Sequence, residues 1–82
     1  MRTIHDPRYS LVITKLIQIR DEKKITQVEL AKKLLKPQSY ISKTELLERR
    51  LDVIELLDWL NALESNPSLF FNGLNFDGVN KP

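Results

Sequence analysis

Pro37 interrupts what would otherwise be one amphipathic helical pattern from Thr26 to Leu46. A proline inside a helix removes a backbone donor and clashes with the preceding turn. The stretch TQVELAKKLLKPQSYISKTE is therefore predicted to be two short helices in succession. Thr26 suits the N-cap of the first, and Glu29, three residues on, completes a T-x-x-E capping box. That helix runs from Gln27 to about Leu34 and buries Val28 or Leu30, with Ala31 and Leu34, leaving Glu29, Lys32 and Lys33 outside. The second starts at Pro37 or Gln38 and continues to Leu46, with Tyr40, Ile41 and Thr44 inward.

The flanking segments read the same way. Leu11, Val12, Leu16 and Ile19, with Ile13 and Ile17 alongside, recur at helical spacing from about Tyr9 to Lys24, and Asp6-Pro7 is a plausible helix start. Asp52 can cap a fourth helix, about Asp52 to Glu64, whose Val53, Leu56, Leu57, Trp59, Leu60 and Leu63 give a broad apolar face. Asn66-Pro67 marks a break, and PSLFFNGL suits one or two last turns ended by Gly73. Only two glycines and 41% apolar residues in 82 agree with an all-α fold, a compact bundle of four to five short helices. The expected organisation is an N-terminal arm over 1–8, a single helical domain over 9–73 and a flexible tail over 74–82.

Several function classes fall away at this stage. Without cysteine there is neither a disulfide framework nor a thiolate metal site, and the lone His5 has no second histidine to share a metal. Asp52, Glu55 and Asp58 lie on one helix side, where carboxylates are ordinarily solvated. No glycine-rich phosphate loop or nucleophile–base pair can be composed, so no enzyme activity, cofactor or metal is expected. MRTIHDPRYS lacks the apolar core of a signal peptide, and no apolar run is long enough to span a membrane, which points to a cytoplasmic protein. Charge is distributed unevenly. Residues 1–50 carry 12 Lys/Arg against 6 Asp/Glu, a net of +6, whereas 51–82 carry one Lys against 5 Asp/Glu, a net of −4. Such asymmetry suits a chain whose first part meets a polyanion.

The outward stripe of the third helix points to which one. A helix serving only the core ordinarily shows glutamate and lysine there; this one shows Gln38, Ser39, Ser42 and Lys43. Glutamine can bridge N6 and N7 of adenine, serine can donate or accept at several base edges, and lysine can reach guanine or a phosphate. An α-helix fits the major groove of double-stranded DNA. Gln27, at the start of the second helix, would lie near a strand as a phosphate anchor. Lys32, Lys33 and Lys36 read more simply as a solvated face.

TQVELAKKL followed by PQSYISKTE resembles the Cro/C1-type (Xre-like) helix-turn-helix family of phage and bacterial repressors. The marks are Thr26-Gln27, Glu29-Leu30-Ala31, Leu34, and Ser39-Tyr40-Ile41-Ser42-Lys43 with Glu45, and the likeness extends over roughly 8–64. The resemblance implies a lambda-repressor-like DNA-binding domain, a transcriptional regulator, in particular a repressor, working as a homodimer on a two-fold symmetric site. It places Gln38, Ser39, Ser42 and Lys43 at bases, and Gln27, Tyr40 and Arg49 at the DNA backbone. Tyr40 reads equally as half-buried support. Trp59 is expected in the core, and Phe70-Phe71 at a dimer interface. Three positions depart from the family pattern. Leu35 stands where glycine is common, Lys36 where an apolar residue is usual, and Leu46-Leu47 replace a polar, glycine-containing turn, so the third helix is expected to run longer.

A second reading is a protein-interaction module, such as an antitoxin whose segment SLFFNGLNFDGVN orders on a toxin partner. A third is a helical domain that keeps the fold without DNA binding.

Overall fold

Asp6 and Pro7 start the first helix as their chemistry dictates. The computed structural model describes residues 5–77, and in it Asp6 caps α1 (Pro7–Glu22) by accepting from the Arg8 amide at 2.8 Å. The Arg8 guanidinium also bonds the Asp6 carboxylate and, with that amide, lowers its pKa to about 2. The helix thus begins within the span expected as an arm. Residues 1–4 of that arm, and 78–82 of the expected tail, lie outside the described residues.

The capping box of α2 (Gln27–Leu34) has both its bonds, Thr26 to the Glu29 amide and Glu29 back to the Thr26 amide. The third helix, α3 (Gln38–Glu45), has Pro37 as N-cap with no side-chain capping bond. In α4 (Val53–Ala62) Asp52 and Glu55 form a second complete capping box. Asn66 caps α5 (Pro67–Asn72), with Pro67 in its first turn. Among the described residues there is no strand, and no helix is long and apolar enough to cross a membrane.

Among the described residues five helices and their connections bury one cluster: Ile13 and Leu16 of α1, Leu30 and Ala31 of α2, Ile41 of α3, Leu51 before α4, Trp59 and Leu60 of α4, Leu63, and Phe70 of α5. Full burial of one such side chain contributes roughly 1.5–3 kcal/mol. Leu30 is the inward member of α2, and Val28 faces out. Buried Thr44 satisfies its hydroxyl on the Tyr40 carbonyl at 2.7 Å. Helix α2 packs on both α3 and α4, and α1 packs on α3. Phe70 is 2% exposed and meets Phe71 edge to face. It anchors the short α5 to the core and so is not the interface residue the sequence suggested. Leu74, expected in the tail, packs against the cluster.

The helix ends share one device. Lys24, Leu35, Leu47 and Glu64 have φ of 58°, 57°, 62° and 55°, one after each of α1 to α4. Each sits in a Schellman motif. Ile25, Lys36, Glu48 and Ser65 donate to the carbonyls of Arg20, Ala31, Lys43 and Leu60, and the left-handed residues donate to Asp21, Lys32, Thr44 and Asn61. Leu35 therefore accepts the strained conformation. Leu47 does likewise, which stops α3 at Glu45 where a longer helix was expected. Gly73, at φ −81°, is not used this way.

A left-handed conformation costs a non-glycine residue about 1–2 kcal/mol, partly offset by the greater unfolded-state freedom of glycine. Leu35 is 90% exposed and loses little packing on substitution. Leu35→Gly is expected to stabilise the domain by about 0.5–1 kcal/mol, and Leu34→Gly, one residue earlier inside α2, to destabilise it. Thermal melts of the two variants check the opposite signs.

Candidate nucleic-acid interface

On α3, positions 38, 39, 42 and 43 fall on one side because residues three to four apart share a helix face. Gln38, Ser39 and Lys43 are exposed and Ser42 is half-buried, opposite buried Ile41 and Thr44. The structure thus brings the four expected base-reading residues onto one face. Gln27, at the first position of α2, reaches the same place, since its Oε1 accepts from Gln38 Nε2 at 3.3 Å.

Beneath these two glutamines lies an ion pair that the sequence reading does not contain. Arg20 of α1 grips Glu45 of α3 with two parallel bonds, Nε to Oε2 at 2.7 Å and Nη2 to Oε1 at 3.0 Å. Their side chains are only 12% and 6% exposed. Arg20 Nη1 also donates to the Ile25 carbonyl at 2.8 Å, and Gln27 Nε2 donates to Glu45 Oε1 at 2.8 Å. The bonds to Glu45 raise the pKa of Arg20. Helical periodicity assigns Arg20 to the solvent side of α1. The one signal in the sequence was Glu45, which is among the marks of the family resemblance.

Tyr40 and Arg49 are held from below. The Tyr40 hydroxyl accepts from Trp59 Nε1 at 3.0 Å, and the two rings lie 6.1 Å apart. Arg49 sits 4.6 Å from the Tyr40 ring centroid and Lys36 Nζ 5.3 Å, both within cation–π range. Arg49 also pairs with Glu55 at 3.0 Å and keeps its side chain one-third exposed. The Tyr9 hydroxyl accepts from the Leu51 amide and donates to the Arg49 carbonyl, tying α1 to the loop after α3. Tyr40 is thus half-buried support, its hydroxyl committed to the core side. A stripe of donors and acceptors that includes Lys43, backed by these bonds and with Lys36 over the adjoining Tyr40 ring, suits a polyanion with readable edges.

Removing one partner of a buried ion pair leaves the other uncompensated, at a cost of about 3–5 kcal/mol. Glu45→Ala is expected to cost that much in urea unfolding. The double variant Arg20→Met with Glu45→Leu should recover most of it, because no unpaired charge remains.

A helix-turn-helix family model matches residues 16–70. Among solved structures, an XRE-family like protein from Pseudomonas syringae pv. tomato str. DC3000 is 44% identical, with 85% of each chain covered and a TM-score of 0.79. The restriction-modification controller protein C.Esp1396I, solved as a tetramer with its natural 35 base-pair operator, is 34% identical over 79% of this chain and 86% of that chain, with a TM-score of 0.74. A single-residue mutant of that controller is 32% identical over 79% and 82% of the two chains, with a TM-score of 0.75. Comparison with curated proteins finds no match. With five helices in this order, the α2–turn–α3 unit at its centre and these likenesses over most of its length, the chain belongs to the Cro/C1-type (Xre-like) helix-turn-helix family.

Proposed function

We propose that this protein is a sequence-specific DNA-binding transcriptional regulator, a repressor, that places α3 in the major groove. The observation that carries the reading is the α3 face itself, where Gln38, Ser39, Ser42 and Lys43 stand together with Gln38 steadied by Gln27. Gln38 reads a base, and Ser39, Ser42 and Lys43 contact neighbouring base edges. The start of α2 at Gln27 meets a phosphate, with Arg49 at the flanking backbone. The relation to a controller protein solved on its operator supports this assignment. Repression follows from occupancy of DNA that the polymerase needs. Lysines on the same half of the chain supply the salt-dependent attraction.

The protein acts as a homodimer through α4. Val53, Ile54 and Leu57 are 71%, 65% and 40% exposed although Trp59 and Leu60 of the same helix are buried in the core. A helix apolar on nearly all sides ordinarily has a partner on each. A second copy, related by two-fold symmetry, covers this strip and spaces two recognition helices one turn of DNA apart. Phe71, 44% exposed, lies on the neighbouring α5 and is the member of the Phe70-Phe71 pair available to an interface.

Two outcomes test these assignments. After selection of bound sites from a randomised duplex pool, Gln38→Ala should cost about 1–3 kcal/mol on the selected site and relax one base pair; equal losses on random DNA would remove Gln38 from base reading. Ile54→Asp should give a monomer in sedimentation equilibrium with an unchanged helical spectrum and weaker operator binding. A dimer that persists in this variant would place the interface elsewhere.

A further inference from the structure

The chain of bonds beneath Gln38 has a direction. Glu45 turns both carboxylate oxygens to the Arg20 guanidinium, and in that state it accepts hydrogen bonds and has none to give. Whatever faces Oε1 next must donate, so the Gln27 amide is forced to present its nitrogen, as it does at 2.8 Å. The Gln27 oxygen then points the other way, and only a donor satisfies it. Gln38 therefore turns its own nitrogen inward, at 3.3 Å. One N–H of Gln38 is committed to Gln27, leaving its second N–H and its oxygen for the outside.

An outward donor beside an acceptor complements N7 and N6–H of adenine. The opposite orientation, oxygen inward and both N–H groups outward, would complement the two acceptors of guanine, N7 and O6. Glutamine is ambiguous between the two because its amide ends have nearly the same shape. We propose that Glu45, which lies behind the recognition face, is the positioning residue that fixes adenine over guanine by setting the amide polarity along Glu45, Gln27 and Gln38. This rests on the reading of Gln38 as a base-contacting residue. It assigns base choice to a residue from which no contact with DNA is required.

Glu45→Gln tests the idea directly. With its oxygen kept on Arg20 Nε and its nitrogen in the place of Oε1, the new amide gives up the bond from Arg20 Nη2 and reverses every link above it. Affinities are measured on operators that differ only by adenine or guanine at the base pair that Gln38→Ala relaxes. The adenine-to-guanine affinity ratio is expected to fall by about tenfold or to invert, while preferences at the base pairs read by Ser42 and Lys43 stay as they were. Gln27→Leu keeps the Arg20–Glu45 pair and cuts the chain above it, so it serves if the first variant fails to fold. It should lower affinity for both operators and compress the same ratio. A folded variant with altered amide polarity that keeps the wild-type ratio overturns the inference, even with DNA reading by Gln38 intact. If wild-type protein shows no base preference that depends on Gln38, the recognition proposal itself fails, and this one with it.

Discussion

The Arg20–Glu45 pair is the joint on which the α2–turn–α3 unit depends. It links α1 to α3 directly, reaches the backbone after α1 through Ile25, and takes the first side chain of α2 through Gln27. Three helices that share the apolar cluster are thereby also joined by a few charge-assisted bonds. Buried pairs of this kind contribute little net stability against a well-packed apolar alternative, because desolvation offsets the attraction. Their value is geometric. A bidentate guanidinium–carboxylate contact tolerates little rotation, so α3 cannot roll about its axis without breaking it.

The second support is aromatic. Trp59 is 1% exposed and directs its indole N–H to Tyr40, whose ring carries Arg49 and Lys36 against it. From the core outward, the sequence of groups runs from apolar to amphipathic to cationic. Tyr40 satisfies the buried indole N–H, as buried polar groups require, and turns its ring face to the two cations. The acidic C-terminal third thus holds the basic part through Trp59 and Glu55, which pairs with Arg49.

How much of this is legible in the sequence depends on range. Thr26 with Glu29, and Asp6 with Pro7, are local signals, and the structure has both. The starts of α1 and α2 follow from them. Glu55 stands at the same spacing from Asp52, yet its return bond goes unread because Asp52 alone explains the helix start. On α4 the apolar residues surround the axis, so periodicity does not say which of Leu56, Leu57 and Leu60 faces in. Only packing against α2 decides, and it leaves Leu57 outside. Phe70 and Phe71 are adjacent and chemically identical, and the turn angle of a six-residue helix separates core from surface. Arg20 and Glu45, 25 residues apart, have no periodic signature at all. The four candidate readers on α3 were legible because a polar stripe of that composition has little other use. Their backing was not.

Stops built from lysine, leucine and glutamate, in place of glycine, carry no local instruction to leave the helix. At Leu47 a free peptide would prefer to continue its turn, and only the surrounding domain makes the reversal favourable; at Leu35 the nearby Pro37 adds a local signal. The C-terminal ends of α1, α3 and α4 are therefore properties of the assembled whole. Excised segments would lose their borders together with their partners, and a partly folded intermediate with correct helix lengths has nothing to hold it. The domain is bound to form, and to melt, as one cooperative unit.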